Sequence, residues 1–277
     1  MKIGVLGMGH FAGVVSGCLA LRGHEVYQYD QQPWIVRSGQ SATIDEPGIE
    51  RLSKPWTCTT NAAPLHTCEV IWACYDVPLD TAGRADSRVV ADRVERLCAR
   101  FTPGTLVLVS SQWAVGTTRV CETHAPHVRF VYVMENVRVG HAIDDFLTAP
   151  AMIVGVSAPG QDRDPVLGLL SPFTERLEWT DFESAEMAKH ALNAWLGLQI
   201  AFINEIARVS HAVGAESDDV ARALFADARI SPLAPLHPGP PFGGGSLQRD
   251  ILQLMDLGEM YSLKMPIVQA ILASNTP

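Results

Sequence analysis

The stretch KIGVLGMGHFAG, residues 2–13, decides the fold of the first half of the chain. An apolar run of strand length ends in the spacing G-x-G-x-x-A, and the residues that follow have helical spacing. Gly7 permits a tight turn, Gly9 lets the main chain approach a pyrophosphate, and Ala12 keeps the new helix close to the strand. The amino terminus of that helix is then placed to bind phosphate groups.

A second strand-like run, HEVYQYD, ends at Asp30, which lies 18 residues after Ala12. A carboxylate at this place can accept a hydrogen bond from the adenosine ribose 2'-hydroxyl, and it would repel a 2'-phosphate. The two runs together predict a dinucleotide-binding Rossmann domain that binds NAD in preference to NADP. A domain of the same fold without a cofactor is the alternative interpretation.

Apolar runs of strand length continue to alternate with helical spacing up to about residue 180. They read EVIWACYDVP, TLVLVSS, RFVYVME and AMIVGV. Strands separated by helices predict a doubly wound parallel sheet, so we expect an α/β domain over residues 1–180.

The pattern then changes to one long helix over residues 183–214, followed by shorter helical segments, and predicts an all-helical domain over residues 181–277. The middle of the long helix is apolar nearly all the way round. Such a helix is either the buried centre of a larger domain or a seam between subunits. We predict a homodimer formed through this helix.

Composition excludes several classes of function. The 277 residues are 47% apolar, the net charge is -9, and no block of Lys or Arg occurs, so nucleic acid and anionic lipid are not expected partners. The six cysteines show no C-x-x-C pair, which favours reduced thiols in the cytoplasm over disulfides or a metal site. Glycines interrupt the first apolar run, so we expect neither an export signal nor a membrane span.

Four polar residues in mostly apolar surroundings are candidates for chemistry. Lys189 and Asn193 are four residues apart and share one face of the long helix. A desolvated lysine there can stabilise a developing alkoxide, although a solvated polar stripe gives the same spacing. Glu135 follows a strand, where ligands bind in open α/β sheets, or is a surface acid. Asp250 is a second candidate acid, or a charge that stabilises the start of a helix.

Taken in chain order, these residues resemble the UDP-glucose/GDP-mannose dehydrogenase family, the NAD-dependent enzymes that oxidise a sugar primary alcohol to a carboxylate. The most specific segments are SAEMAKHALNAWLGLQIAFINEIA and FGGGSLQRD, and the resemblance also covers MENVRVGHAIDDF. The resemblance implies that Glu135 is a catalytic-site glutamate and that Lys189 and Asn193 hold the substrate oxyanion. It also implies that Asp250 assists proton transfer and that Arg229 reaches across a dimer to contact the partner subunit's substrate.

Further binding positions follow from the same resemblance. The expected cofactor contacts beyond Gly7, Gly9, Ala12 and Asp30 are His10, Phe11, Val77, Pro78, Ser111 and Gln112. The expected substrate contacts beyond Arg229 are Arg138, Phe242, Gly243 and Gly244. No metal is expected.

Departures from the family pattern change the expected reaction. Ser246 stands where the family has a nucleophilic cysteine, Val139 where it has a second glutamate, and Gln112 where a threonine is common. Family members also continue past the position of Pro277 into a second nucleotide-binding domain. Many of the family's contacts to the UDP or GDP of the substrate are therefore expected to be missing.

Without the cysteine, the thioester route is closed, and we expect a single two-electron oxidation of a sugar-like alcohol to a carbonyl, or the reverse. Ser246 itself is then a polar or substrate-binding residue, or, as a weaker alternative, a nucleophile. The sequence also fits full oxidation to the acid without a thioester, a β-hydroxyacid dehydrogenase or imine reductase, and a catalytically silent NAD-binding partner protein.

Overall fold

The computed structural model describes residues 1–31, 46–52, 54–79, 85–243 and 245–275. The chain forms two compact units, the first made of residues 1–78 and 86–187 and the second of residues 79–85 and 188–277. The short segment 79–85 belongs to the second unit, which the spacing of apolar residues does not reveal. The functional domain boundary near residue 180 stays a prediction.

The first unit contains an eight-stranded sheet in the order β3-β2-β1-β4-β5-β6-β7-β8. The strands are β1 Lys2–Leu6, β2 Glu25–Tyr29, β3 Thr57–Thr59, β4 Val70–Ala73, β5 Leu106–Val109, β6 Arg129–Val133, β7 Met152–Val156 and β8 Leu177–Asp181. All neighbouring pairs are parallel except β6 and β7, which are antiparallel. The doubly wound α/β fold is confirmed, with one reversed pair.

Two strands carry no clear signal in the sequence. β3 has only three residues, and β8, with the sequence LEWTD, is partly exposed along its length and has no continuous apolar run. Both lie at the edges of the sheet. In contrast, β4 and β5 are buried at every residue, and their apolar runs predict them.

The helices are α1 His10–Leu21, α2 Ser87–Cys98, α3 Thr117–His124, α4 Ala142–Leu147, α5 Arg163–Leu170, α6 Phe182–Val213, α7 Ser217–Phe225, α8 Gly245–Met260 and α9 Pro266–Ser274. Short 3-10 turns occupy Ile49–Arg51 and Ala63–Thr67. None of the helices in the described part of the chain has both the length and the apolar character needed to cross a membrane.

The long helix α6 agrees with the predicted range of 183–214. Asp181 caps its start, because the Asp181 carboxylate accepts a hydrogen bond from the main-chain N–H of Ser184 at 2.7 Å. Gly214, with a φ of 77°, ends the helix in a left-handed conformation that other residues adopt only with strain. Further along, Pro266 begins α9 and separates it from α8, although the apolar spacing predicts one continuous helical stretch there.

A buried carboxylate fixes the loop that follows β5. Glu186, on the first turns of α6, has no exposed surface and accepts hydrogen bonds from Trp113 Nε1 at 2.9 Å, Gly116 N at 2.5 Å, and both Thr118 N at 2.9 Å and Thr118 Oγ1 at 2.5 Å. Burial raises the pKa of the Glu186 carboxyl, and these donors oppose the rise. Since every partner donates, the geometry fits an ionised carboxylate that joins α6 to the start of α3.

We predict that Glu186→Gln lowers the free energy of unfolding by about 1–3 kcal/mol, because its NH₂ group would face the Gly116 N–H and leave both donors unpaired. Urea unfolding followed by circular dichroism would measure the loss. Glu175→Gln is the matched control, since Glu175 is exposed and its change should stay within about 0.5 kcal/mol. Equal stability of the two variants would contradict the proposed role of Glu186.

Candidate functional site

The predicted cofactor residues of the first unit lie along the edge of the sheet that is formed by the carboxyl ends of its parallel strands. Each follows the carboxyl end of a strand in the parallel set, and the strands concerned are neighbours in the order β2-β1-β4-β5-β6. These residues are Gly7 and Gly9 after β1, Asp30 after β2, Val77 and Pro78 after β4, and Ser111 and Gln112 after β5. Glu135, predicted as a catalytic residue, follows β6. The chain order reverses between β1 and β4, which is where open α/β sheets form a ligand-binding crevice.

The glycine turn after β1 has a geometry that requires glycine. Gly7 has a φ of 113°, and a Cβ atom added there would lie 3.0 Å from the carbonyl oxygen of Cys74. The carbonyl oxygen of Gly7 accepts a hydrogen bond from Gln28 Nε2 at 3.0 Å, and Gln28 in turn accepts from Trp56 Nε1 at 2.7 Å. Gln28 is fully buried in β2 and was missed by the sequence analysis, although a glutamine within a strand-like run is the signal that marks it.

The same edge carries other residues that the sequence predicts to bind the dinucleotide. Ala12 is buried in the first turn of α1, and Asp30 is buried next to the strand end. Ser111 Oγ is buried and has no hydrogen-bond partner among the described residues, so it is a polar atom that a ligand can satisfy. A Cβ atom on Gly9 would overlap the carboxylate of Asp76, which therefore lies against the glycine turn. The glycine turn and the buried Ser111 hydroxyl have the chemistry that a dinucleotide needs, while Asp76 adds negative charge beside Gly9.

His10 and Phe11 hold the start of α1 through their side chains. Phe11 packs edge-on against Phe146, with ring centroids 6.3 Å apart. His10 Nε2 lies 2.7 Å from Glu46 Oε2, and the Glu46 carboxylate also accepts from the main-chain N–H groups of Gly140 at 3.0 Å and Ala142 at 2.6 Å. Burial alone would raise the pKa of Glu46, but these donors together hold it below its usual value. Glu46 was also missed from the sequence.

Glu135 and its neighbours form a polar loop after β6. Glu135 is partly buried and accepts hydrogen bonds from Gln112 Nε2 at 3.4 Å and from the main-chain N–H of Val137 at 3.3 Å. Arg138 is exposed and pairs with Asp145 through two side-chain hydrogen bonds of 3.0 and 2.7 Å. Val139 is exposed, and its apolar side chain cannot form the hydrogen bonds of a glutamate at this position.

The second unit brings the predicted catalytic residues Asn193 and Asp250 into contact, and Lys189 lies one turn before Asn193 on the same face of α6. Lys189, Asn193 and Asp250 are all buried, the first two on α6 and the third on α8. Asp250 has no exposed surface; its Oδ1 lies 2.9 Å from Nδ1 of His190, and its Oδ2 accepts a hydrogen bond from Asn193 Nδ2. His190 also contacts Asp250 and was missed by the sequence analysis, because its partner lies 60 residues away in the chain.

Ser246 is the second residue of α8 and is exposed. It precedes Asp250 by four residues, so the two share one face of that helix. Phe242 is held by its main chain, which exchanges hydrogen bonds of 2.8 and 2.9 Å with the Asn275 side-chain amide. Gly243 is exposed, and Gly244 lies outside the described residues.

Arg229 is exposed in the single chain and forms hydrogen bonds to Asp227 at 2.9 and 2.7 Å. Nothing in one copy of the chain places Arg229 against Lys189, Asn193 or Asp250, so its role towards a partner subunit stays a prediction.

The thiols belong to the first unit, whereas Lys189, Asn193 and Asp250 belong to the second. All six cysteines belong to the first unit, and none forms a disulfide within the described residues. Burial raises the pKa of Cys18 and Cys98 to about 12 and that of Cys68 to about 11, so these thiols stay protonated at neutral pH. No group of three His, Cys, Asp or Glu side chains in the described ranges is arranged to hold a metal ion.

Comparison with known proteins covers the whole chain. The UDP-glucose/GDP-mannose dehydrogenase family matches in two parts, its NAD binding domain over residues 1–166 and its central domain over residues 183–277. Among curated proteins, the UDP-glucose 6-dehydrogenase of Rhizobium meliloti is 29% identical over 99% of this chain and 67% of its own length. The UDP-glucose 6-dehydrogenase TuaD of Bacillus subtilis is 28% identical over 99% of this chain and 62% of its own length.

Solved structures agree with this assignment. The UDP-glucose dehydrogenase of Pyrobaculum islandicum superposes with a TM-score of 0.88 at 28% identity, over 99% of this chain and 67% of that protein. A 3-hydroxyisobutyrate dehydrogenase of Mycobacterium tuberculosis, at a TM-score of 0.72 and 16% identity over 98% of this chain and 90% of that protein, shares the fold alone. The chain thus spans about two thirds of the length of its dehydrogenase relatives, and its first part is an NAD-binding domain. The chain belongs to the UDP-glucose/GDP-mannose dehydrogenase family.

Proposed function

We propose that this protein is an NAD-dependent oxidoreductase that transfers one hydride between NAD and a sugar-like alcohol, and stops at the carbonyl or runs in reverse. The observation that carries the proposal is the burial of Lys189, Asn193 and Asp250, with a hydrogen bond between the last two. The resemblance adds the expectation that Ser246 stands at the position of the family's cysteine. Lys189, Asn193 and Asp250 provide the groups needed for one hydride transfer. The serine lacks the thiolate needed to hold the product for a second transfer.

Each of the three buried residues has a proposed role in that step. NAD supplies the hydride acceptor. The Lys189 ammonium and the Asn193 amide stabilise the alkoxide that develops as the hydride leaves, which is most effective in a site with little water. Asp250, or a water that it orients, moves the hydroxyl proton. Glu135 positions that water or the substrate, and Ser246 donates a hydrogen bond to the substrate.

The buried thiols support an end point at the carbonyl. A second hydride transfer through a thioester requires a thiolate that attacks the carbonyl carbon, and the second unit contains no cysteine. The remaining path to an acid is oxidation of the hydrated aldehyde, which requires the gem-diol to be held with its hydrogen aimed at the nicotinamide. Val139 removes one carboxylate that could orient the diol.

Two further candidate functions differ in class. A β-hydroxyacid dehydrogenase or imine reductase shares the fold, but the FGGGSLQRD segment and the family matches favour nucleotide-sugar chemistry. A catalytically silent NAD-binding partner fits the loss of the cysteine, while the retained Lys189, Asn193 and Asp250 oppose it. The names of the relatives make UDP-glucose the first compound to test. We further propose a cytoplasmic location, consistent with the absence of disulfides among the described cysteines.

We also propose a homodimer formed through α6. Trp195, Phe202 and Val209 are 56%, 47% and 59% exposed, and their spacing of seven residues places them on one face of the helix. At 100° per residue, this face lies opposite the face that carries Lys189 and Asn193. A second copy of the chain covers the stripe, and Arg229 reaches the substrate of that copy.

For the cofactor, we predict that NAD binds at least about tenfold more tightly than NADP, because a 2'-phosphate would meet the buried Asp30 carboxylate. Asp30→Asn should lower the ratio of the Kd of NADP to the Kd of NAD. Calorimetric titration with both cofactors would measure the two constants. Asp92→Asn is the control, since Asp92 is an exposed acid on α2. Equal affinities in the unmodified protein would remove Asp30 from the ribose site.

For the assembly, we predict that the protein is a dimer at micromolar concentration and that Trp195→Glu with Phe202→Glu yields monomers, because a charged residue would be buried against the second copy. Light scattering would report the mass. Arg208→Ala is the control, since Arg208 lies one residue before Val209 on α6 and its side chain points away from the stripe by about 100°. A fully active monomer of the unmodified protein would contradict both the dimer and the role of Arg229.

For the reaction, we predict that one NADH forms for each alcohol consumed, because no thiol holds the carbonyl product. The measurement is NADH absorbance with mass analysis of the product and no aldehyde trap. Ser246→Cys should raise the ratio towards two, and Ser246→Ala should leave it at one. A ratio of two with a carboxylate product that survives Ser246→Ala would show that the chain completes a four-electron oxidation by another path.

A further inference from the structure

His190 occupies a position that the steps above do not use. It is buried on α6, and its Nδ1 atom lies 2.9 Å from Oδ1 of Asp250. Asp250 is the acid proposed to assist proton transfer, and its other oxygen accepts a hydrogen bond from Asn193. One carboxylate therefore joins His190 to a residue of the proposed oxyanion site.

Because Asp250 is completely buried, its carboxylate needs hydrogen-bond donors from the protein. An ionised carboxylate without exposed surface is strongly destabilised unless protein donors replace its water. Because Asp250 can only accept, the Nδ1 atom of His190 must carry the hydrogen in this contact. His190 and Asn193 are three residues apart on α6, so one helix supplies donors to both oxygens of Asp250.

The orientation of the Asn193 amide follows from Asp250. The amide nitrogen carries two hydrogens, and one is donated to Asp250 Oδ2. This contact fixes which end of the amide is the NH₂ group and leaves its second hydrogen to be donated elsewhere. If Asp250 rotated away, the amide could turn over and present its carbonyl oxygen, which would repel an alkoxide rather than stabilise it.

We propose that His190 is a positioning residue that holds Asp250 so that Asn193 presents its NH₂ group to the alkoxide. The proposal rests on the proposed hydride transfer and deepens it. His190 acts through Asp250 and does not touch the substrate.

The test compares two substitutions at position 190. In His190→Asn, the side-chain NH₂ group lies close to the place of the imidazole Nδ1 and keeps a donor to Asp250. In His190→Leu, that donor is lost at similar volume. With UDP-glucose as the probe, kcat should fall about ten- to a hundredfold in the leucine variant, while KM and the Kd of NAD change less than about twofold. The asparagine variant should recover kcat to within about threefold of the unmodified protein.

A spectroscopic measurement decides the inference without turnover. With ¹⁵N-labelled asparagine, the Asn193 side-chain amide signals, assigned by their loss in Asn193→Ala, should move in His190→Leu and return in His190→Asn. His211→Leu is the control for kinetics and spectra, because His211 is exposed on the same helix. If the leucine variant does not fold, His190→Gln replaces it, since its longer amide misses the Nδ1 position.

The outcomes separate the two proposals. Unchanged Asn193 amide signals in the leucine variant, or equal losses of kcat in the leucine and asparagine variants, would overturn the role of His190. If the unmodified protein forms no NADH from any sugar alcohol tested, the proposed function fails, and the amide signals still decide whether His190 positions Asp250 and Asn193.

Discussion

A carboxylate removed from water must find its donors inside the protein, and this constraint organises three parts of the structure. Glu46, Glu186 and Asp250 are all buried. Glu46 joins the start of α1 to the start of α4, Glu186 joins α6 to α3, and Asp250 joins α8 to α6. Each of these joints borders a segment that carries candidate site residues. The cost of an unpaired buried charge, about 3–5 kcal/mol in general, explains why the segments take defined positions.

The hydrogen bonds around buried Asp250 join it to Asn193 and His190 and involve no cysteine. In the proposed reaction, Lys189, Asn193 and Asp250 stabilise charge and form no covalent bond to the substrate. Ser246 is exposed on the same face of α8 as Asp250 and offers a hydroxyl that donates or accepts hydrogen bonds. The six thiols lie in the first unit and support its packing, with Cys18, Cys74, Cys98 and Cys121 among its most buried side chains.

The cofactor edge of the sheet is acidic. Asp30, Asp76 and Glu135 follow three of the strands that border the crevice, and the carboxylates of Asp76 and Glu135 both add to the raised pKa of the Cys74 thiol, after the larger effect of its burial. Negative charge at this edge opposes the cofactor phosphates and favours the positively charged nicotinamide ring of the oxidised form. The main-chain N–H groups at the start of α1 and the helix dipole provide the compensating attraction for phosphate.

The sequence by itself determined the fold class, the cofactor and most of the long helix, because glycine spacing, strand-length apolar runs and helical periodicity are local properties. Its family pattern also predicted roles for Lys189, Asn193 and Asp250, and these roles stay predictions. The edge strands β3 and β8, the reversed β7 and the attachment of residues 79–85 to the second unit came only from the tertiary structure. The same holds for Gln28, Glu46, Glu186 and His190, whose partners lie between 21 and 96 residues away in the chain. No local pattern encodes such contacts, since a buried polar residue is specified by the donors and acceptors that the fold brings to it.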